Sequence, residues 1–173
     1  MAQYGWEIDL ERCTGCKTCV VACKSENNTP LKTNYRTVIT EETGVYPNPK
    51  KIFVTMACNH CADPACIESC PVGAITKRAS DGIVLIDQDI CVGCRYCVWA
   101  CPYGAPRYNP NTRKVEKCTL CAHRVGEGLN PACVDACVGR AIKYTRDFVP
   151  NGIGNAPDRF ANPKLTHPSI RFI

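Results

Sequence analysis

The chain has 173 residues, 21 Lys and Arg against 16 Asp and Glu for a formal charge of +5, and sixteen cysteines. That length suits one domain or two small units packed together. The basic residues are scattered rather than gathered in a run, which speaks against nucleic-acid binding, and no apolar run reaches the ~18 residues of a membrane helix. The opening residues, MAQYGWEIDLERC, lack the charged, apolar and cleavage regions of an export signal. The expectation is a reducing compartment, in which grouped cysteines read as metal ligands rather than as a disulfide framework.

In chain order, YGWEID reads as a short strand, followed by the first cysteine group, Cys13, Cys16, Cys19 and Cys23. CVVACKSE suits one short helical turn. RTVITEE and KIFVTMAC read as a hairpin across the TGVYPNPK loop. The second group is Cys58, Cys61, Cys66 and Cys70, with a helical turn in CIESC and Pro71 behind it. GAITKRASDGIVLIDQDIC holds two alternating apolar runs around Ser80–Asp81–Gly82, a hairpin signature. The third group is Cys91, Cys94, Cys97 and Cys101, followed by Pro102. RYNPNTRKVEKC reads as another hairpin, turning at Asn109 to Thr112. The fourth group is Cys118, Cys121, Cys133 and Cys137, with a helical turn in CVDACV, and RAIKYT is a final strand. From Arg146 onward the chain is rich in Asn, Pro and Gly and reads as an irregular tail lying over the surface or on a partner.

No cysteine is left over from these four groups, which form a decayed internal repeat. Groups one and three have the spacing C-x2-C-x2-C-x3-C; groups two and four widen the middle gap to four and eleven residues. Three cysteines at x2-x2 fit three corners of a cubane, and in the bacterial ferredoxin run the fourth serves the other cluster. The reason is reach: after the third ligand a helical turn carries the next cysteine away from its own cluster. Gly15 and Gly93, inside the loops, permit close backbone approach. Structural zinc favours pairs of C-x2-C knuckles separated by a spacer. Group four alone has that look, but three equally spaced thiols would crowd one tetrahedral ion. Groups two and three are joined by one hairpin, as are the halves of a two-cluster ferredoxin. That leaves groups one and four, whose flanking strands YGWEID and RAIKYT would pair to close the structure. The fold class expected is α+β: two intertwined ferredoxin-like units of short hairpins and helices. An outer unit spans 1–55 and 105–145, an inserted inner unit 56–104, and an irregular partner-binding tail 146–173.

Four phrases, CTGCKTCVVACKSENN, CNHCADPACIESCPVGAITKR, DGIVLIDQDICVGCRYCVWACPYGAPRYN and KCTLCAHRVGEGLNPACVDAC, carry a resemblance. The chain, from about Gln3 to Thr145, resembles the four-cluster iron–sulfur subunits of the molybdopterin oxidoreductases, of the dimethyl sulfoxide, polysulfide, thiosulfate and arsenate reductase type. The resemblance implies a non-catalytic electron-transfer subunit with four [4Fe–4S] clusters. Its partners would be a molybdopterin catalytic subunit and an integral-membrane, quinone-binding anchor. Carried over by position, site one takes Cys13, Cys16, Cys19 and Cys137. Site two takes Cys58, Cys61, Cys66 and Cys101, site three Cys91, Cys94, Cys97 and Cys70, and site four Cys118, Cys121, Cys133 and Cys23. The outer pair would face the molybdenum subunit and the inner pair the membrane. The subunit would lie peripherally on the membrane, on the periplasmic face by co-export with its partner. Alternatives are a cytoplasmic formate- or hydrogen-linked complex or a soluble dehydrogenase, and a structural zinc module. Two departures stand out: Lys24 follows Cys23 and Val138 follows Cys137, where the family commonly has Pro.

With sixteen cysteines filling every ligand position, His60 and His123 are expected to hydrogen-bond near a cluster or to pack. Lys24, Arg95 and Lys117 adjoin cysteines; each would raise a cluster's potential, or is a partner contact or a solvated side chain. Tyr96 and Trp99 are expected to pack.

Overall fold

The computed structural model describes residues 2–150 and 152–173; Met1 and Asn151 fall outside them. In chain order the elements are β1 (Gly5–Ile8), α1 (Thr18–Glu26), β2 (Thr37–Thr43), β3 (Lys50–Met56), α2 (Ala65–Glu68), β4 (Ile75–Lys77) and β5 (Val84–Ile86). They continue with α3 (Tyr96–Ala100), β6 (Arg107–Asn109), β7 (Lys114–Glu116), α4 (Ala122–Gly126), α5 (Ala132–Asp135), β8 (Ile142–Thr145), a 3-10 turn (Pro163–Leu165) and β9 (Ile170–Phe172). Short strands and short helices around cysteine loops make this a ferredoxin-like α+β fold.

The three local hairpins form as the alternation and turn residues require: β2 with β3, β4 with β5 and β6 with β7, all antiparallel. The long-range closure forms as well. β1 pairs antiparallel with β8, from Gly5 opposite Thr145 to Ile8 opposite Ile142. The hairpin β6–β7 packs against the β4–β5 hairpin, with Val115 in one apolar cluster with Ile75, Val84 and Cys97. It also reaches β2's approach, where the Tyr35 hydroxyl donates to Glu116 Oε2 at 2.8 Å.

The segment after Arg146 differs from the irregular tail expected. Most of it has no regular structure, but its last residues form β9, which pairs parallel with β1, Trp6 opposite Ile170 and Ile8 opposite Phe172. Ile170 and Phe172 are buried, and Ser169 ties the segment to group two through its N–H to Asn59 O and its hydroxyl to His60 O. The reason is apolar burial: β1 has two open edges, β8 covers one, and Ile170 and Phe172 bring a dry face to the other. Helix α1 also outruns the single turn expected. Lys24, unlike Pro, donates a backbone N–H, so the helix passes through Cys23 and ends at Glu26. Helix α4 was not signalled by its sequence.

The main core mixes aliphatic side chains with cysteines: Trp6, Ile8, Leu120, Ile142, Ile170 and Phe172 pack with Cys19, Cys58, Cys118 and Cys133. Trp6 is its anchor. The ring is 1% exposed, its Nε1 donates to Cys58 O at 3.0 Å, and the Arg36 guanidinium lies 4.6 Å from its centroid. Trp6→Ala is expected to cost ~3–5 kcal/mol, the range for emptying an aromatic core site. Trp6→Phe, which loses chiefly the hydrogen bond, should cost ~1–3 kcal/mol. Denaturant melts of the cluster-loaded protein check both, and equal losses would mean the indole N–H is the dominant contribution.

Candidate metal centres

Groups one and three carry the same backbone. Gly15 and Gly93 have φ of 70° and 71°, and two residues later Lys17 and Arg95 have φ of 61° and 69°. Left-handed residues placed this way turn successive backbone N–H groups inward and form the concave nests that hold anionic groups, iron–sulfur centres among them. Close approach is the other reason for glycine. A Cβ on Gly93 would lie 2.0 Å from Arg113 O, and one on Gly15 would lie 2.4 Å from the Phe53 ring. Each loop is thus pressed against its neighbour, the backbone before β7 in one case and β3 in the other.

The cysteines gather across group boundaries. One cavity is lined by Cys58, Cys61, Cys66 and Cys101, together with Asn59, His60 and Lys117. A second is lined by Cys13, Cys16, Cys19 and Cys137. The remaining eight are related by their mutual influence. The Cys97 thiol is pushed up to about 11 by burial, then by the charges of Cys91, Cys94 and Cys70. Cys23 is pushed up to about 12 by burial, with Cys133 and Cys121 adding to it. Cys118 is raised by burial and next by Cys23. Cys61 and Cys66 are each driven up to about 12, mainly by burial, with Cys58 and Cys101 contributing. Cys16 is the opposite case: hydrogen bonds from the Thr18 side chain and backbone N–H hold its exposed thiol below the ordinary range.

The fourth cysteine of each group meets a donor from the residue four positions on. Ala74 N–H donates to Cys70 Sγ at 3.3 Å, and Ala141 N–H to Cys137 Sγ at 3.2 Å. Burial raises the Cys101 thiol, and the Ala105 N–H opposes that by stabilising its thiolate in the same way. At Cys23 the helix continues, so Asn27 N–H is taken by Cys23 O at 3.2 Å, and the Asn27 side-chain amide approaches Cys23 Sγ at 3.7 Å instead. Both departures from the Pro pattern are accounted for here. After Cys137 the chain turns without Pro, through Gly139 and Arg140 at φ 50°, and keeps the N–H to sulfur contact.

The 4Fe-4S dicluster domain matches residues 49–147, and a 4Fe-4S binding domain matches residues 7–25. A component of the anaerobic dimethyl sulfoxide reductase of Escherichia coli (strain K12) is 45% identical over 150 residues, covering 82% of this protein and 73% of the relative. The chain belongs to the four-cluster iron–sulfur subunits of the molybdopterin oxidoreductases. A component of the tetrathionate reductase of Salmonella typhimurium is 44% identical, covering 80% of this protein and 56% of that one. A component of the sulfite dehydrogenase of Allochromatium vinosum is 38% identical, covering 82% and 68%. As a member of this family the chain is an electron-transfer subunit that uses [4Fe–4S] clusters, and it is not the catalytic subunit.

The residues present fit such clusters. The donors are all free thiols. Eight of them stand in two sets of four around cavities, Cys58, Cys61, Cys66 and Cys101 in one and Cys13, Cys16, Cys19 and Cys137 in the other, which leaves room for a multi-atom group. Several buried polar atoms are also without a partner: Nε and Nη2 of Arg36, both amide atoms of Asn59 and Nε2 of His60. Buried polar groups are nearly always paired, and Asn59 and His60 line the Cys58 cavity, so sulfur acceptors there would complete the two donors, Asn59 Nδ2 and His60 Nε2. When bound, the clusters supply one-electron acceptor and donor states over a wide range of potentials.

His60 is fully buried, and its Nδ1 accepts from Val84 N–H at 3.0 Å. Burial, then Lys117, Lys77 and Arg78, hold its pKa well below the usual imidazole range. The ring is therefore neutral and carries its proton on Nε2. His123 is exposed, its Nε2 2.6 Å from Glu26 Oε1, beside ion pairs from Arg124 to Glu26 and Asp135. Lys24 is spent on Thr29 Oγ1, Pro30 O and Thr33 O, and Arg95 lies over the Tyr108 ring at 3.7 Å. Lys117 is buried, and among the described residues its ammonium donates to the carbonyls of Val84 and Cys118. Tyr96 and Trp99 do not pack within the chain as expected; they are 60% and 84% exposed. Arg36 carried no signal in the sequence, since one Arg before a strand reads as solvated.

Proposed function

We propose that the chain relays electrons through four [4Fe–4S] clusters between a molybdopterin catalytic subunit and a membrane anchor that reacts with quinone. The ligand sets are Cys13, Cys16, Cys19 and Cys137 at site one; Cys58, Cys61, Cys66 and Cys101 at site two; Cys91, Cys94, Cys97 and Cys70 at site three; Cys118, Cys121, Cys133 and Cys23 at site four. The observation that carries the reading is that two cavities each gather three cysteines of one group and the last of another.

The sites run in the order one, four, two, three. Cys19 feels Cys133, and Cys118 feels Cys58, which supports contact between sites one and four and between sites four and two. The helices α2 and α3, which carry Cys66 and Cys97, pack together. Cys16 and Cys94 are the two exposed cysteines, in sites one and three, which suits them as the ends of the relay. Val72, Val92, Tyr96 and Trp99, all beside group two or three ligands, are exposed and suit an apolar partner at the site-three end. Among the described residues no helix is long and apolar enough to cross a membrane. The anchor in this reading is a separate subunit, and the chain lies peripherally against it, on the periplasmic face by co-export with the catalytic subunit. The outer unit, 1–55 and 105–145, holds sites one and four; the inserted unit, 56–104, holds sites two and three. Exposed side chains of the last segment outside β9, Val149 and Leu165 among them, are available to a partner. Related subunits carry the names of reductases and of a dehydrogenase, so the direction of flow is set by the catalytic partner.

The test is composition. Iron and acid-labile sulfide should each come to about sixteen per chain, four of each in every cluster. Stoichiometric zinc without labile sulfide would overturn the reading.

A further inference from the structure

We infer that Arg36 and Lys117 are built-in counter-cations of the cluster chain, one where sites one and four meet and one beside site two, and that they raise the reduction potentials there. This rests on the four-cluster reading above. Among the described residues they are the two buried cationic side chains, Arg36 1% and Lys117 3% exposed. Neither forms an ion pair with a carboxylate.

A buried cation without an anion carries a heavy desolvation penalty. Protein groups offset little of it here. Arg36 Nη1 donates to Thr55 Oγ1 at 3.0 Å, its plane lies by the Trp6 ring, and Nε and Nη2 have no partner. Thr55 in turn lies 3.6 Å from Cys19 Sγ. Lys117 has two carbonyls, those of Val84 and Cys118. What surrounds both instead is sulfur. Burial acts to lower the Arg36 pKa, yet Cys133, Cys118, Cys19 and Cys23 together bring it above its ordinary value. Those cysteines come from the ligand sets of sites one and four. Lys117 lines the cavity of Cys58, Cys61, Cys66 and Cys101, and its charge stabilises the Cys66 thiolate.

The anion that completes each cation is therefore the thiolate-bound cluster. Taking up one electron adds one negative charge, and in a buried, weakly screened place a fixed cation favours that state. Arginine keeps its charge at any working pH, so the bias at sites one and four is permanent. Among the described residues site three has no such buried cation: Arg95, which follows Cys94 in the chain, is exposed and lies over the Tyr108 ring. The arrangement makes three of the four sites easier to reduce than their ligands alone would, and leaves the fourth without that help.

The experiment is a redox titration, followed by electron paramagnetic resonance, of the cluster-loaded protein and of Arg36→Met, Arg36→Lys and Lys117→Met. Arg36→Met should lower the midpoints of two clusters by at least tenfold in the reduction equilibrium, ~59 mV for a one-electron couple. Arg36→Lys should recover most of that shift. Lys117→Met should lower a set that includes a cluster Arg36→Met leaves alone, and one cluster should respond to neither. If Arg36→Met fails to load iron while Arg36→Lys loads fully, counter-charge is again the requirement. Four intact clusters with unchanged midpoints would overturn the inference, as would Arg36→Lys behaving like Arg36→Met in potential or in loading. A wild-type chain without iron and labile sulfide would instead overturn the function on which it rests.

Discussion

Stripping the iron from the reduced protein with a strong chelator is expected to abolish cooperative folding altogether, not to loosen one region. The elements cannot stand alone. Helices α2 to α5 have four or five residues each, where an isolated helix needs about 12–15 to be even marginal in water. β4–β5 and β6–β7 are two-stranded ladders three residues long, and an isolated hairpin is at best marginally stable. The core does not make up the difference, because Cys19, Cys58, Cys118 and Cys133 occupy positions in it that an ordinary domain gives to Leu or Ile. Losing the clusters also leaves Arg36 and Lys117 buried with no anion. Folding and metal binding are then one equilibrium, as in small zinc domains. Far-UV circular dichroism and a thermal scan of chelated protein check this: the sigmoidal transition should vanish and return only when both iron and sulfide are restored. A chelated chain that melts cooperatively near the loaded midpoint would show that the polypeptide core is sufficient.

What the sequence displayed was whatever depends on neighbours in the chain. The turn at Ser80–Asp81–Gly82 and the alternation on either side belong to one short window, so β4–β5 was legible; the same holds for β6–β7 around Asn109 to Thr112. Cysteine spacing is local too, and the proposed crossing of the fourth ligand rests on chain reach after a helical turn. The pairing of β1 with β8 was accessible because the ends of a closed repeat have few places to go. The elements that escaped are settled by distant partners. SIRFI offers three alternating residues and no turn, and what makes β9 a strand is the open edge of β1 beside Asn59 and His60. Arg36 escaped for a similar reason. Nothing in NYRTV distinguishes a buried guanidinium from a solvated one; only the thiols of Cys19, Cys23, Cys118 and Cys133, brought in from three segments, explain its burial. Tyr96 and Trp99 sit at helical spacing in α3 and looked like core, but α3 spends its inward face on Cys97, leaving both rings outside.

Replacing Cys101 by Ser is expected to damage site two and not the group in which Cys101 is written. The geometry argues for it from both sides. Cys101 lines the cavity of Cys58, Cys61 and Cys66, and α3 ends at it with extended backbone, φ −79° and ψ 113°, so the chain leaves the Cys97 environment there. Cys97, for its part, responds to Cys91, Cys94 and Cys70. Serine is a poor ligand for iron, so loss of a corner should cost up to one whole cluster, bringing iron from about sixteen to about twelve per chain. Because site two lies between sites four and three in the proposed order, quinone-coupled turnover of the assembled complex should fall nearly to zero even though three clusters survive. The decisive reading is a pair of double variants, since residues serving one site do not add while residues serving different sites do. Cys58→Ser/Cys101→Ser should lose no more iron than either single change. Cys94→Ser/Cys101→Ser should lose two clusters, about eight iron. The reverse result, with Cys94 and Cys101 behaving as one site, would mean that each group closes on itself. The relay would then consist of four separate loops, and the close spacing that the exchanged cysteines impose would need another cause.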